Sequence, residues 1–301
     1  MKLSSLRDFV TVAERGSLRA AARQLDVSQP TITRSIQELE KDLGVSLFER
    51  QAKGVRLTRM GEMFFRRSKA IRMEVTRAQD EILQTRGALH GNITVCMSSA
   101  AHMALLPDAI RPFRQRFPDV FVRLIDSLLP GVESQVADGT IDCYIGPAFD
   151  GVSAELSVEK LFDNTRVVLG RKRHPLAHAT SLAELAGAEW MTASSTPRAQ
   201  EDLLPLFEQH GLPPPKVVFE AQSALSFLTT MTSSDLLMLL PIQWTQAAVF
   251  KDALQRIPVV QPLEAPSICI VQRTGLPLTP AAEYFCDMVR RASQHVHKLA
   301  E

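Results

Sequence analysis

Only four of the 301 residues are cysteine, at Cys96, Cys143, Cys269 and Cys286, and no two share a C-x-x-C spacing. A chain of this length does not need disulfides to hold a core, so the four are expected to be ordinary buried thiols. Long apolar runs are missing too. No stretch of about 18 apolar residues occurs, which excludes an ordinary membrane-spanning helix. The first residues are interrupted by Lys2, Arg7, Asp8 and Glu14, which argues against a secretory signal. The expected location is the cytoplasm, with no membrane partner. There is no G-x-G-x-x-G, no G-x-x-x-x-G-K-[ST] and no G-x-S-x-G, so dinucleotide binding, P-loop chemistry and the hydrolase elbow lack support. His174 and His178 have i, i+4 spacing, but Pro175 lies between them and no glutamate does, so a surface loop is expected there. His295 and His297 are expected to be solvated near the end of the chain. No nucleophile and base can be paired from spacing. No enzyme activity, cofactor or metal is expected.

What is present is uneven charge. Residues 1–90 hold 17 Lys/Arg against 11 Asp/Glu, while residues 91–301 hold 17 against 22. Opposite net charge in two segments suggests a different partner for each, and the basic segment suits phosphate.

The basic segment has a helical rhythm. Leu3, Leu6, Phe9, Val10 and Ala13 fit a first helix over Leu3–Glu14, stopped by Gly16. Ser17 caps a second, Leu18–Leu25, whose stripe of Leu18, Ala21, Ala22 and Leu25 is small enough to let another helix cross closely. Asp26 and Val27 form the turn. Ser28 caps a third helix with Pro30 in its first turn, and Ile32, Ile36, Leu39 and Leu43 form its inward stripe. Its outward face carries Gln29, Thr31, Thr33, Arg34 and Gln37. Arginine can fork onto guanine and glutamine can pair with adenine. Two short helices joined tightly, the second polar at its leading end, make a helix-turn-helix. Gly44 ends the third helix. Short β-prone pieces around Ser46–Glu49 and Val55–Leu57, turning at Gly54, make a wing-sized hairpin. Arg50, Lys53, Arg56, Arg59, Arg66, Arg67, Lys69 and Arg72 follow, with Glu62 the one acid among them. That density suits phosphate contacts, which give affinity without reading sequence.

The stretch SLRAAARQLDVSQPTITRSIQELEKDLGVSLFERQAKGVRLTRMGE, Ser17–Glu62, resembles the N-terminal domain of LysR-type transcriptional regulators. The run VSQPTITRSIQELEKDLGVSLFER is especially specific, and a weaker likeness continues to the C-terminus. The resemblance implies a winged helix-turn-helix, a dimerising linker helix and a two-lobed, periplasmic-binding-protein-like α/β effector domain. It implies a tetramer on an interrupted palindrome in double-stranded DNA near a promoter, with RNA polymerase as a further partner. The family's base-reading positions map onto Gln29, Pro30, Thr33 and Arg34, with Arg50 near the wing. Within the family, GSLRAAA, FPDV, FKDALQRIP and PLTPAA look similar to the branch that includes the toluenesulfonate regulator.

Thr58 can cap a helix running to about Leu89. Phe64, Ile71, Val75, Ala78, Ile82 and Leu89 step mostly by three and four along it, a coiled-coil seam that needs a partner, and a second copy is the simplest one. The alternative is a helix packed on its own effector domain. The expected division is 1–58 for DNA binding, 59–90 for the linker and 91–301 for the effector domain, with a boundary at His90-Gly91. From Gly91 onward apolar strands alternate with helices, the sign of a mostly parallel sheet. The number of units fits two lobes, about 91–161 with 268–301, and 162–267. Ligands in such sheets bind beyond the carboxyl ends of strands. Candidate effector residues are Ser98, Ser99 and Ala100 at a strand-to-helix junction, His102 close by, Gly146 and Pro147 at another strand end, and Ser195, Thr196 and Arg198 in the other lobe. Hydroxyls, free helix-start amides and an arginine favour an anion, and a small aromatic acid or sulfonate is the expected effector. Ser98, Ser99 and Ser194 are also explained as plain helix caps, His102 as plain helix surface, and Arg198 as a surface charge. Beside a ligand-responsive regulator, two other functions stay open: an architectural DNA-binding protein without effector, and an enzyme or binding protein with an appended DNA-binding domain.

Overall fold

The computed structural model describes residues 1–51, 54–149, 151–193, 203–221, 223–246, 250 and 252–296. The chain forms two compact units, Met1–Arg86 and a larger one beginning at Gly87.

The first unit has α1 (Leu3–Arg15), α2 (Leu18–Gln24), α3 (Gln29–Leu43), β1 (Phe48–Gln51), β2 (Gly54–Leu57) and α4 (Arg59–Thr85). Each helix start is set locally. The Ser17 hydroxyl accepts from the Ala20 N–H, Ser28 from Thr31, and Thr58 from Gly61. Gly16 and Gly44 end α1 and α3 in the left-handed region. Asp26, at φ 53°, makes the tight turn between α2 and α3, a conformation that Asp tolerates better than most residues. The core collects Phe9, Val10, Val12, Ala21, Ala22, Ile32, Ile36, Leu39 and Leu47. Phe9 sits at its centre, its ring 5.2 Å from Phe48, 5.1 Å from Phe64 and 6.4 Å from Phe65. Leu3 and Leu43, expected inside, are exposed because they occupy helix ends; buried Leu47 fills the core below α3.

The linker helix is shorter than expected. It ends at Thr85, not near Leu89, and Leu89 instead packs partly buried against the core of the second unit. Gly87, at φ 96°, turns the chain, and β3 already begins at His90.

The second unit contains β3 (His90–Met97), α5 (Ser99–Arg116), β4 (Asp119–Asp126), α6 (Leu129–Ala137), β5 (Cys143–Pro147) and β6 (Leu156–Arg171). After a 3-10 turn at Leu182–Leu185 come β7 (Glu189–Ala193), α7 (Leu204–Gln209), β8 (Lys216–Ala221), α8 (Ala224–Thr232), β9 (Met238–Pro241), α9 (Gln243–Gln246), β10 (Leu254–Ile257), β11 (Glu264–Arg273) and α10 (Pro280–Val296). The main sheet runs β10-β6-β11-β5-β3-β4, with β9 also on β6. β3 is parallel to β4 and β5, but β11 and β6 run antiparallel, so the sheet is mixed and not mostly parallel. β7 and β8 form a parallel pair joined through a Trp190–Leu237 bridge.

Two lobes arise from one strand. β6 pairs with β11 from Leu156 to Thr165, then with β9 and β10 from Arg166 to Arg171. The chain therefore passes between lobes inside a continuous strand, at Thr165–Arg166. Alternation along it divides the second lobe's interior. Val168 faces the cluster of Trp190, Phe207 and Leu237, while Val167 and Leu169 face that of Met191, Phe227 and Trp244. In the first lobe α5 and α10 cover Val95, Met97 and Ile145, and Phe113 meets Phe285 edge-on at 5.4 Å.

All four cysteines are buried and free. Desolvation first, then the nearby Asp126, pushes the Cys96 thiol up to about 12. The Cys286 thiol beside Cys143, together with burial, pushes Cys143 up. Both stay protonated and unreactive near neutral pH. His174 departs from expectation: it is 4% exposed and part of the second lobe's frame, not a surface loop. The Leu176 N–H donates to its Nδ1 at 3.0 Å, so that nitrogen carries no proton, and Nε2–H donates to the Asp235 carbonyl at 3.0 Å. His178 is exposed as expected.

Candidate nucleic-acid interface and effector crevice

The leading turns of α3 present their polar side chains to solvent. Gln29, Pro30, Thr31, Arg34 and Gln37 are exposed and Thr33 is half-buried. Two hydroxyls are partly used by the helix itself. Thr33 Oγ1 donates to the Gln29 carbonyl at 2.9 Å, and the Ser28 and Thr31 hydroxyls lie 2.7 Å apart. Gln29 and Gln37 make no side-chain hydrogen bond among the described residues. Arg34 is 82% exposed, with Nε donating to Glu38 at 2.8 Å one turn on. That pair holds the guanidinium along the helix while the side chain stays open to solvent.

The wing is fixed by both neighbours. The Val55 N–H donates to the Gly16 carbonyl at 2.9 Å, tying the hairpin to the α1–α2 corner. Gly54 approaches that carbonyl so closely, at φ 138°, that a β-carbon would overlap it. Glu40, on α3, was not singled out from sequence. Its carboxylate accepts from the Leu47 N–H at 2.6 Å and the Phe48 N–H at 3.1 Å, fastening the entrance of the wing to the recognition helix. No local pattern marks Glu40, because its partners are set by the chain's return. Arg50 pairs with Val55 and Arg56 with Glu49 across the hairpin, so the two arginines stand on opposite faces. Lys53 lies outside the described residues. Arg59, Arg66 and Arg67 are exposed, whereas Lys69 lies over the Phe65 ring at 5.5 Å and Arg72 reaches Glu14 at 3.5 Å. The basic run thus splits into free cations and structural ones. Farther along α4, Ile71, Val75, Ala78 and Ile82 form one exposed stripe, with Ile82 62% exposed.

In the second unit the structure brings Ser98, Gly146 and Pro147 together at the carboxyl ends of β3 and β5. Met97 pairs with Ile145, and the Ser98 N–H donates to the Ile145 carbonyl at 2.9 Å. A β-carbon on Gly146 would overlap the Tyr144 hydroxyl and crowd Ser98, so only glycine fits. Tyr144, whose phenol burial pushes up, donates to the Pro147 carbonyl at 3.2 Å. Ser98 is buried and caps α5, its hydroxyl accepting from Ala101 at 3.3 Å. His102 turns Nδ1 back onto the Ser98 carbonyl at 3.1 Å. The first two amides of α5, on Ser99 and Ala100, meet no acceptor among the described residues. From the other lobe, α9 packs on α5, and Met103 lies against the Phe227–Trp244 cluster. Trp244 stacks on Phe250 at 4.9 Å. Thr192, near the end of β7, was not singled out from sequence; it is buried and its hydroxyl has no partner among the described residues. Ser195, Thr196 and Arg198 lie outside the described residues, as does Ser194. No group of three or more possible metal ligands occurs among the described residues. None of their helices is long and apolar enough to cross a membrane.

A helix-turn-helix with its wing, a long helix and a two-lobed α/β domain are the parts of a DNA-binding regulator with an effector-binding domain. The profile described as the bacterial regulatory helix-turn-helix protein, lysR family, matches residues 3–62, and that of the LysR substrate binding domain matches residues 86–294. The chain belongs to the LysR family of transcriptional regulators. It is 31% identical over 241 residues to the Hca operon transcriptional activator HcaR of Escherichia coli strain K12, spanning 77% of each protein. It is 26% identical over 289 residues to the regulator GalR of Pseudomonas putida strain KT2440, covering 95% of this chain and 72% of that one. Its fold is similar to full-length CbnR complexed with target DNA, at TM-score 0.73 and 24% identity over 97% of this chain and 100% of that one. The protein is a DNA-binding transcription regulator with an effector-binding domain, and its family is one of regulators, not enzymes.

Proposed function

We propose that this regulator reads an interrupted palindrome with α3 and switches its grip when a small anionic aromatic effector enters the crevice. Gln29, Pro30, Thr33 and Arg34 read base edges, with Ser28, Thr31 and Gln37 at their margin. Arg50, Lys53 and Arg56 hold phosphate from the wing. The observation that carries this is the exposed polar leading end of α3 beside a basic hairpin fastened to it.

Ser98, Ser99, Ala100, His102, Gly146 and Pro147 line the first lobe's side of the effector site, with Thr192 from the second lobe; Ser195, Thr196 and Arg198 are the residues we assign to the anion from sequence. The unmatched amides at the start of α5 suit a carboxylate or sulfonate. The aromatic cluster touched by Met103 suits a ring. Two copies join along Ile71, Val75, Ala78 and Ile82, which water would otherwise cover. Exposed Phe121 on the edge strand β4 and exposed Val218 and Phe219 on β8 of the β7–β8 pair would join dimers into a tetramer. Bound near a promoter in the cytoplasm, that assembly would meet RNA polymerase.

The test is selection from a random duplex pool by the purified protein, with and without aromatic acids. An interrupted palindrome should be enriched, and its protected length should change with an effector. Recovery of no sequence above bulk competitor, in any ligand state, would overturn the reading.

A further inference from the structure

Gln243 is 2% exposed and opens α9 directly after β9. The polarity of its side chain is fixed by two neighbours. The Thr165 backbone N–H donates to Asn164 Oδ1 at 3.0 Å. A backbone N–H can only donate, so the Asn164 atom facing it is oxygen and that amide cannot be reversed. Gln243 Nε2 donates to the same oxygen at 3.0 Å, so its nitrogen faces Asn164 and its oxygen faces elsewhere. That oxygen, Oε1, is buried and receives no hydrogen bond from the described residues. A buried acceptor left unmet is costly, and each one in a native fold calls for a partner.

The position gives the partner's identity. The Ile242 N–H donates to the Thr165 carbonyl at 3.0 Å. Thr165 pairs with Glu264, and Arg166 with Pro241, so Asn164 and Thr165 stand where β6 leaves one lobe's sheet for the other's. α9 packs on α5 at the same seam. The unmet oxygen therefore belongs to the second lobe, on the helix that packs on α5 next to the point where β6 crosses between lobes. Thr192 does not define a polarity, because a hydroxyl can rotate to donate or accept; Gln243 does.

We propose that Gln243 determines effector specificity by accepting a hydrogen bond from a hydroxyl or amino group on the effector's ring. This rests on the reading that an anionic aromatic molecule fills the crevice. The effector then carries an anion at one end, met by the first amides of α5, and a donor elsewhere on the ring, met by Gln243.

The test is calorimetry of the full chain with benzoate and its ring-hydroxylated and ring-aminated forms, for wild type and Gln243→Met. At least one donor-bearing probe should bind about tenfold more tightly than benzoate. Gln243→Met should reduce that probe to benzoate's level and leave benzoate itself unchanged. If wild type binds every probe alike, or if the preference survives in Gln243→Met, the assignment of Gln243 is overturned while the effector class stands. If no probe binds at about 10 mM, the effector class has failed and the inference with it. Should Gln243→Met not fold, the wild-type comparison still decides whether a ring donor is read.

Discussion

The polar groups of the two recognition surfaces are in opposite states. On α3 they stand in water: Arg34 is 82% exposed, and Gln29 and Gln37 are open to solvent. In the effector domain they are buried: Ser98, Thr192 and Gln243 are almost fully covered, and Thr192 and Gln243 each hold an atom with no partner among the described residues. The first set is hydrated, so it adds little to folding and, on the proposed reading, contributes when a duplex replaces the water. The second set has already lost its water. It costs stability in the free protein, and a ligand that supplies the missing bonds returns that stability together with affinity. Substitutions on the first surface should leave stability alone, whereas those in the crevice should change stability and binding together.

The largest effect comes from breaking one region and watching the other. Phe9→Ala removes the ring around which Phe48, Phe64 and Phe65 pack. It should cost about 3–5 kcal/mol and abolish DNA binding. Because the second unit has cores of its own, its thermal transition and its effector affinity should persist. Loss of both transitions together in differential scanning calorimetry would show that the units do not fold separately.

Glu40→Ala acts within the first region but away from its reading face. It strips the acceptor from the Leu47 and Phe48 N–H groups and should cost about 1–3 kcal/mol of stability. The wing would lose its fixed setting against α3, so affinity should fall by one factor on cognate and random duplexes alike, as measured by fluorescence anisotropy. A loss confined to cognate DNA would move Glu40 from wing support to base reading.

These two residues mark what the sequence discloses. Ser17, Ser28, Gly44 and Pro30 announce helix ends by local chemistry, and the spacing of Ile32, Ile36 and Leu39 gives the buried face directly. The exposed polar face of α3 was legible for the same reason. Glu40 was not, because its partners return from the wing. His174 looked like loop because the carbonyl of Asp235 that holds it lies 61 residues on. The single strand from Leu156 to Arg171 also escaped notice. Its two halves pair with different strands, β11 first and then β9 and β10, so no one alternation runs through it, and only its second half, RVVLGR, has a plain apolar core. Leu89 continued the linker's rhythm by coincidence of spacing, and Gly87 breaks the helix before it. Thr192 and Gln243 carry no sequence signal at all, since an unmet hydrogen bond is a property of the assembled interior.

On α3 itself, Arg34→Ala should cost about 1–3 kcal/mol at one base pair and leave other positions untouched. Its ion pair with Glu38 is exposed, so the melting temperature should scarcely move. Arg56→Ala, on the wing, should weaken all duplexes equally and lower the salt dependence by about one phosphate. Equal losses on cognate and random DNA for Arg34→Ala would remove it from the reading set.

The smallest expected effect on stability is the sharpest test of the contrast, because its sign is at issue. Thr192→Val keeps the side chain's shape and deletes a buried hydroxyl that has no partner among the described residues. At a site where that hydroxyl was satisfied, the change would destabilise by roughly 1 kcal/mol. Here it should leave the free protein as stable as before or raise it by up to about 1 kcal/mol, while weakening the effector that the hydroxyl would meet. Thermal denaturation without ligand reads the sign. A fall in melting temperature would mean that a partner already meets the Thr192 hydroxyl in the free protein, and the crevice would then be, like α3, a surface complete before its ligand arrives.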